Sequence, residues 1–267
     1  MSFQLRAMLQ CLASTRSLGV LLFMWFSITV LGGCAAQPAT YADEPDPWEG
    51  MNRGIFAFNR GLDKVIIRPA AKGYTHVLPQ PARRGVTNFF NNLEEPFNAI
   101  NSLLQGKPGL AGNAVGRFAI NTTVGLLGLM DVAAHSGVED EDGRERGLRR
   151  HEEDFGQTLA VWGVPGGPYL MLPLLGPSSA RDVFSTVQRF FSPLRYFSSS
   201  EARRPLIAVR ILDARSRFLS LDDTINASAD PYLFVRNAYI QNRTFAIFDG
   251  NPPIEDMYDD YDLDMDE

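Results

Sequence analysis

Few side chains in the 267-residue sequence could act as a nucleophile or bind a transition metal. The two cysteines, Cys11 and Cys34, both lie near the N-terminus, so no thiolate is available after residue 34. The three histidines are far apart and form none of the short spacings that bind zinc. Ser178 and Ser179 follow Gly-Pro instead of standing in a G-x-S-x-G turn, and we expect one of them to cap a helix. The sequence therefore predicts no catalytic residue, no metal site and no cofactor, and the protein is not expected to be an enzyme.

One cluster of ionisable residues could still suggest acid–base or metal chemistry. His151, Glu152, Glu153 and Asp154 are consecutive and end a charged stretch that starts at Glu139. Such a stretch is more typical of a solvated loop than of a buried site, and we expect these four residues to lie in one. The glycine-rich motifs that hold nucleotide phosphates are also missing from the sequence.

The charge balance limits the partners that the protein can have. Lys and Arg total 25 and Asp and Glu total 31, which gives a net charge of −6. Nine of the acids lie in residues 249–267, where no base occurs, and this leaves 22 acids against 25 bases elsewhere. The chain thus lacks the basic field of a nucleic-acid-binding protein, and no nucleic acid is expected as a partner. Residues 249–267 are predicted to be an acidic, disordered tail.

Residues 1–33 have the parts of a bacterial export signal. Two arginines precede the apolar run Leu18–Val30, which is too short to span a bilayer comfortably. Small residues then precede Cys34, as in the lipobox that a lipoprotein signal peptidase cleaves. We predict that Cys34 is lipidated and becomes the mature N-terminus; an uncleaved anchor or an incidental cysteine are the alternatives. Ala35 after the cysteine indicates the outer membrane, on its periplasmic side, and residues 34–47 are typical of a tether.

Residues 48–248 are predicted to form one helical domain. Met51, Ile55, Phe58, Leu62 and Val65 make one apolar stripe at helical spacing, which we expect Pro69 to end. Later segments repeat this spacing, one closing at Gly106 and another opening at Asp230-Pro231, where Asp would be the N-cap. Strand-like alternation is hard to find outside residues 169–175, so the predicted fold is all-α.

The segment Gly156–Pro177 is rich in glycine and proline and yet strongly apolar. A surface loop is normally polar, so the segment needs protein or lipid around it. One interpretation is a loop in the core. The other is the lining of a lipid path or a membrane-facing edge, and in a lipid path Leu172 and Leu174 would face lipid.

The helices carry many phenylalanines beside arginines, which leaves two interpretations open. The aromatic stripes are either core or the lipid-facing sides of amphipathic helices in a membrane plane. The arginines would correspondingly pair with acids in the fold or with phosphate headgroups. They are Arg53, Arg60, Arg68, Arg83, Arg84, Arg117, Arg181 and Arg189.

A series of short motifs resembles the VacJ/MlaA family of phospholipid-binding lipoproteins of Gram-negative bacteria. The similarity covers about residues 46–245, and its blocks occur in the order of the family. The acidic tail lies outside it. The matching blocks include DPWEGMNR at 46–53, FAFN at 56–59, NFFNNLEEP at 88–96, RFAINTT at 117–123, EDFGQTL at 153–159, GPY at 167–169 and DPY at 230–232.

The resemblance implies a fold and a function. The fold would be a ring-like disc of amphipathic helices lying in the membrane plane around a central channel. Such a protein removes mislocalised phospholipids from the outer leaflet of the outer membrane and passes them to a periplasmic lipid carrier, in association with a trimeric porin. Phe56, Phe58 and Asn59 would lie beside the channel. A structural envelope lipoprotein and a periplasmic lipid-modifying enzyme are the competing interpretations.

Overall fold

A computed structural model describes residues 46–136, 138–139, 145–146, 148–191 and 200–253. The predicted export signal, Cys34, nearly all of the tether and the tail after residue 253 lie outside the described residues. Those assignments stay predictions.

The first helical stretch continues past the proline that was expected to end it. Helix α1 (Glu49–Leu62) runs through a five-residue π-helical turn (Asp63–Ile67) into α2 (Arg68–Val77), and Pro69 lies in the first turn of α2. In the π turn the Arg68 N–H donates to the Asp63 carbonyl, five residues back. The expectation about Pro69 was wrong because α2 begins directly after the π turn. Proline is tolerated in the first turn of a helix, where its missing N–H removes no intrahelical hydrogen bond.

The next two helices are the largest packed pair. Helix α3 (Gln80–Leu104) and helix α4 (Pro108–Thr123) contact each other more extensively than any other two described elements. Gly106 ends α3 with a φ of 76°, as the sequence predicts, and Pro108 begins α4.

The remainder of the described chain is mainly helical with two small antiparallel hairpins. The elements are a 3₁₀ turn (Ala133–His135), β1 (Val138–Glu139), β2 (Glu145–Arg146), α5 (Phe155–Val161), β3 (Tyr169–Leu172), β4 (Gly176–Ser179), α6 (Val183–Phe191), α7 (Ser200–Arg217), a second 3₁₀ turn (Leu219–Leu221), α8 (Asp222–Ala227) and α9 (Pro231–Ile247). Strands β3 and β4 pair from Tyr169↔Ser179 to Leu172↔Gly176. The helical fold class is confirmed.

Two predicted helix caps have different outcomes. The Asp230 carboxylate accepts from the N–H groups of Tyr232 and Leu233 and caps α9, as expected. Ser178 and Ser179, in contrast, lie in β4. Ser179 Oγ accepts from the Asp182 N–H at 3.2 Å, and α6 starts only after Asp182, so the expectation of a helix cap was wrong. Both serines therefore belong to the β3–β4 hairpin, which ends before α6 begins.

The polarity of the described residues is inverted relative to a water-soluble protein. Twenty polar or charged residues are buried, against twelve apolar ones of which six are alanines. Twenty-six large apolar side chains are exposed in the same part of the chain. Soluble proteins bury charged residues rarely and only when these are paired. No helix in the described ranges is both long and apolar enough to cross a bilayer.

Candidate functional site

Helix α1 is joined to strand β3 by two asparagines that lie two helical turns apart on one face. Asn52 donates to the Tyr169 carbonyl and accepts from the Met171 N–H, both at 2.9 Å. Asn59 donates to the Leu172 carbonyl at 2.9 Å and accepts from the Leu174 N–H at 2.8 Å. A side-chain amide has the donor and acceptor of a peptide group, so the two residues replace a neighbouring strand.

This contact brings together three of the five residues predicted to lie beside a lipid path. Asn59 binds Leu172 and Leu174 directly, and it fixes the turn between β3 and β4. Leu174 has a φ of 66° and is 63% exposed, while Phe58 is 57% exposed. Phe56 points elsewhere: its ring packs edge-on against Tyr232, with centroids 5.7 Å apart. Whether these residues contact lipid stays a prediction.

The Gly156–Pro177 segment lies partly in the core, as one of the two interpretations expects, and whether the rest lines a lipid path stays a prediction. It begins in α5 and continues into the β3–β4 hairpin. Tyr169 and Met171 are buried and pack in a small apolar cluster with Tyr232. Trp162 and Leu174 are exposed. Alternate residues of β3 therefore point into the core. The apolar side chains of Trp162 and Leu174, outside the strand, stay exposed.

Glu153 and Asp154, expected in a solvated loop, are buried, so that expectation was wrong for these two residues. Glu153 accepts from Gln105 at 2.6 Å and pairs with Lys107 at 3.3 Å. Burial raises the pKa of Glu153 in spite of these two partners. Asp154 caps α5 through the Gln157 N–H. A run of charges in the sequence does not reveal that its last two members meet cations from distant segments.

Asp154 belongs to a buried ion cluster that links three helices. Arg243 of α9 donates to both oxygens of Asp154 at 2.6 Å and to both oxygens of Asp182 at 2.9 Å. Burial opposes the ionisation of Asp154, but Arg243 and Arg189 outweigh it and hold the pKa of that carboxyl well below its usual range. Gly156 is needed here, because a Cβ at that position would lie 2.1 Å from Asp182 Oδ1.

A second buried cluster lies between α3 and α4. Arg117 donates to Glu95 at 2.8 Å and to Asp131 at 2.9 Å, and both Arg117 and Glu95 are almost fully buried. Nearby, Glu94 accepts from both Arg150 and Arg210. The charges in these clusters compensate one another inside the fold, which is the condition for burying them.

The arginines that could have paired with headgroups mostly have partners within the fold. Five of the eight form ion pairs with carboxylates, and Arg60 donates to Asn226. The five are Arg53, Arg68, Arg117, Arg181 and Arg189. The structure thus favours the interpretation that they pair with groups of the fold itself.

A small open cleft with several charged and polar side chains in its walls lies beside these clusters. Its walls include Glu94, Asn98 and Asn101 from α3, Glu152 before α5, and Arg189 from α6. Both signs of charge line it. In the residues that the structure describes, no group of three or more histidine, cysteine or acidic side chains is arranged to hold a metal ion.

Comparison with known proteins gives one consistent result. The family model for the MlaA lipoprotein matches residues 44–246. The intermembrane phospholipid transport system lipoprotein MlaA of Escherichia coli (strain K12) is 35% identical over 240 residues, 87% of this chain and 92% of the relative. The protein of the same name from Haemophilus influenzae is 32% identical, with 84% and 88% covered.

A solved structure agrees with this result. It was described as the structural basis for maintenance of bacterial outer membrane lipid asymmetry. It is 35% identical to this chain and superimposes with a TM-score of 0.64, over 78% of this chain and all of that one. The chain described here belongs to the MlaA lipoprotein family.

Proposed function

We propose that the protein is the outer-membrane lipoprotein of an intermembrane phospholipid transport system. It removes mislocalised phospholipids from the outer leaflet and passes them towards the periplasm, which maintains the lipid asymmetry of the outer membrane. The family membership and the names of the relatives support this proposal. No covalent bond is broken in such a process, and the protein is proposed to act without catalysis.

The observation that carries the proposal is the inverted polarity of the fold. Large apolar side chains such as Phe58 and Leu174 are exposed, while paired charges such as Arg117–Glu95 and Arg243–Asp154 are buried. An apolar exterior is favourable against acyl chains and unfavourable against water. The charged and polar side chains that line the cleft beside these pairs would be more favourable for a phospholipid headgroup than lipid tails are.

The finer parts of the proposal concern arrangement and partners. Cys34 is the acylated residue that holds the protein on the periplasmic side of the outer membrane. The helices lie in the membrane plane as a ring-like disc around a central channel, with the Asn59–Leu174 contact at the lipid path. A trimeric porin and a periplasmic lipid carrier are the proposed protein partners.

The deciding experiment measures phospholipid in the outer leaflet of living cells. A deletion strain is labelled with an amine-reactive reagent that does not cross the outer membrane, and labelled phosphatidylethanolamine is compared with that of the parent and of the complemented strain. We expect more labelled lipid in the deletion strain and a return to the parental value on complementation. Equal labelling in all three strains would refute the transport function.

Two further readouts separate the competing functions. Incubation of the purified protein with phospholipid should release no fatty acid, whereas a lipid-modifying enzyme would release it. Phospholipid should co-purify with the protein. A structural lipoprotein that moves no lipid would carry none and would leave the labelling of the deletion strain unchanged.

A further inference from the structure

The π turn between α1 and α2 contains one residue more than the corresponding turn of an α-helix and is not packed into the core. None of its five residues, all within the described part of the chain, is buried, and Val65 and Ile66 are 73% and 58% exposed. Turns of this kind are rare in proteins and occur frequently at functional sites. The extra residue is therefore not held in place by apolar packing of the turn itself.

The helix is also weakened two residues before the π turn, at Gly61. A Cβ at this position would meet no atom within 4 Å, so packing does not require glycine there. Its backbone is that of a right-handed helix, which any residue adopts. Glycine inside a helix costs about 1 kcal/mol relative to alanine, because it loses more backbone freedom on folding. The sequence thus places a flexible residue beside the wide turn.

The extra residue sets the orientation of α1 relative to α2. A π turn takes up one extra residue locally, so the helix before it keeps its rotation. If the same five residues became α-helical, α1 would shift by one residue and rotate by about 100°. Asn52, Asn59 and Asp63 are spaced by seven and four residues and lie on one face of this helical stretch. Such a rotation would therefore remove all three from their partners together.

Helix α1 is held mainly by hydrogen bonds and ion pairs. Among its fourteen residues, all of which the structure describes, only Asn52 is buried. Arg53 pairs with Asp230 at 2.6 Å, and Arg60 donates to Asn226. The apolar side chains of α1 are at most partly buried. A rotation of α1 would thus exchange polar contacts and open little apolar core, which is the main cost when a core helix moves.

Arg215 of α7 holds the start of the π turn in its observed position. Its guanidinium donates to both oxygens of Asp63, at 2.7 and 2.9 Å, and to Asp222 at 2.6 Å. Asp222 also pairs with Arg68, the first residue after the π turn, at 2.8 Å. One ion network therefore joins both ends of the turn to α7 and α8. Arg215 and Asp63 are both accessible to water, so their pair can open without leaving an unpaired charge buried.

We propose that the π turn is a hinge through which α1 rotates by about 100° relative to α2, and that Arg215 is the positioning residue that stabilises the observed orientation. In the rotated state Asn59 leaves Leu172 and Leu174, and the β3–β4 turn is free to move. The consequence for the lipid path rests on the proposed function. The rotation itself does not, and it is measurable whether or not the protein moves lipid.

The first test measures the orientation of α1 by pulsed electron paramagnetic resonance. The full-length lipoprotein carries spin labels at Met51→Cys in α1 and Asp223→Cys in α8, which are exposed positions, in phosphatidylethanolamine–phosphatidylglycerol vesicles. A second sample pairs the label at position 51 with one at Lys72→Cys in α2, since one distance alone can miss a rotation. A rotation of 100° moves a surface side chain of α1 by about 8 Å.

We expect a second, minor distance in both samples of the parent protein. Arg215→Gln should raise its fraction about two- to fivefold, the range expected for loss of a partly exposed ion pair. The control pair at positions 72 and 223 does not include α1 and should give one distance throughout. Unchanged distances in Arg215→Gln overturn the proposal. So does a change at the control pair, because α1 would then not be the element that moves.

The second test removes the hinge and keeps the orientation of α1. Deletion of Val65 leaves four residues, enough for an α-helical turn, so Asn52 and Asn59 should stay on β3. We expect normal abundance, only the major distance, and at least severalfold less transport, measured by labelling of outer-leaflet phosphatidylethanolamine. Val65→Ala keeps all five residues and should transport as the parent does. Full transport by the deletion variant overturns the role of the hinge in transport.

A third variant keeps the proposal testable if the deletion variant does not fold. Gly61→Ala fills open space and stiffens the helix beside the π turn. Combined with Arg215→Gln, it should return the minor distance towards the fraction of the parent, and an unchanged fraction overturns the proposal. If cells with and without the protein show equal labelling, the transport function fails, and the spin-label distances still decide whether α1 rotates.

Discussion

The contact between α1 and the β3–β4 hairpin has two ends, and the same type of side chain is used at both. At one end Asn52 is completely buried and donates to the Asp46 carboxylate as well as to β3. Tyr232 donates to the same carboxylate from α9. At the other end Asn59 is only half-buried, and its partners lie in a turn whose Leu174 is exposed. We infer that the first end holds the fold together and that the second positions an apolar surface.

Asn52, at the buried end, should be the residue most sensitive to substitution. Asn52→Leu leaves the Tyr169 carbonyl and the Met171 N–H without a partner and removes one donor from Asp46. Each unsatisfied buried group costs about 1–3 kcal/mol, so we expect a loss of about 3–5 kcal/mol in the free energy of unfolding. Chemical denaturation of the detergent-solubilised protein measures it. A loss below that of Asn59→Leu would contradict the assignment of the two ends.

At the open end, a charge should remove function and leave stability unchanged. Leu174→Asp introduces a carboxylate at an exposed position with a positive φ, which aspartate tolerates. We expect the free energy of unfolding to change by less than about 0.5 kcal/mol. Transport should be lost, because a charge in contact with acyl chains is strongly unfavourable.

Labelling of outer-leaflet phosphatidylethanolamine in cells that express Leu174→Asp as their only copy measures this loss. Leu174→Asn, which is isosteric with aspartate but neutral, is the matched control and should retain more transport. If the aspartate variant is fully active, Leu174 does not face the lipid path. If its abundance falls with that of Asn52→Leu, the position is structural.

Asn59→Leu should have a smaller effect on stability than the same substitution at Asn52. In the detergent-solubilised protein this half-buried end is open to solvent, which can satisfy the Leu172 carbonyl and the Leu174 N–H, so we expect a loss of about 1 kcal/mol. The turn would no longer be fixed, and transport should be reduced at normal protein abundance. Parallel measurement of unfolding and of outer-leaflet lipid tests both parts. Normal transport would show that the hairpin turn needs no fixed position.

The sequence predicts several features of the helices and misses the contact between α1 and the β3–β4 hairpin. The apolar stripe of α1, the end of α3 at Gly106 and the cap at Asp230 all depend on neighbours within a few residues, and the structure confirms them. Asn52 and Tyr169 are 117 residues apart in the chain. Two asparagines seven residues apart are also common on the solvent-exposed face of a helix. No neighbouring residue in the sequence indicates that these two bind the backbone of a strand.

Distance along the chain also explains why Glu153 and Asp154 were wrongly expected in a solvated loop. The run at residues 151–154 is typical of a solvated loop, and the Arg243–Asp154 pair that buries its end spans 89 residues. The many phenylalanines beside arginines in the sequence are compatible with the inverted polarity of the fold. Helical periodicity alone does not show which face of a helix packs against protein and which is exposed.

The smallest effect at neutral pH is expected at the buried end itself, at Tyr169. Its hydroxyl is buried and has no hydrogen-bond partner among the described residues, so Tyr169→Phe should change the free energy of unfolding by less than about 0.5 kcal/mol near pH 7. Burial, with a further contribution from the charge of Asp46, raises the pKa of Tyr169 above its usual value. A group whose pKa is raised by folding stabilises the protein fully below its unfolded pKa, and this stability is lost as the pH rises towards the folded pKa.

The wild type should therefore lose stability above about pH 10, the usual tyrosine pKa, and Tyr169→Phe should lose less. Unfolding curves between pH 7 and 11 measure the difference. Phe56 has no ionisable group and packs at the same cluster, so Phe56→Leu is the control for a pure packing change and should leave the slope with pH as in the wild type. If the free energy of unfolding fell equally with pH in the wild type and in Tyr169→Phe, the contact around Asn52 and Tyr169 would open before Tyr169 ionises.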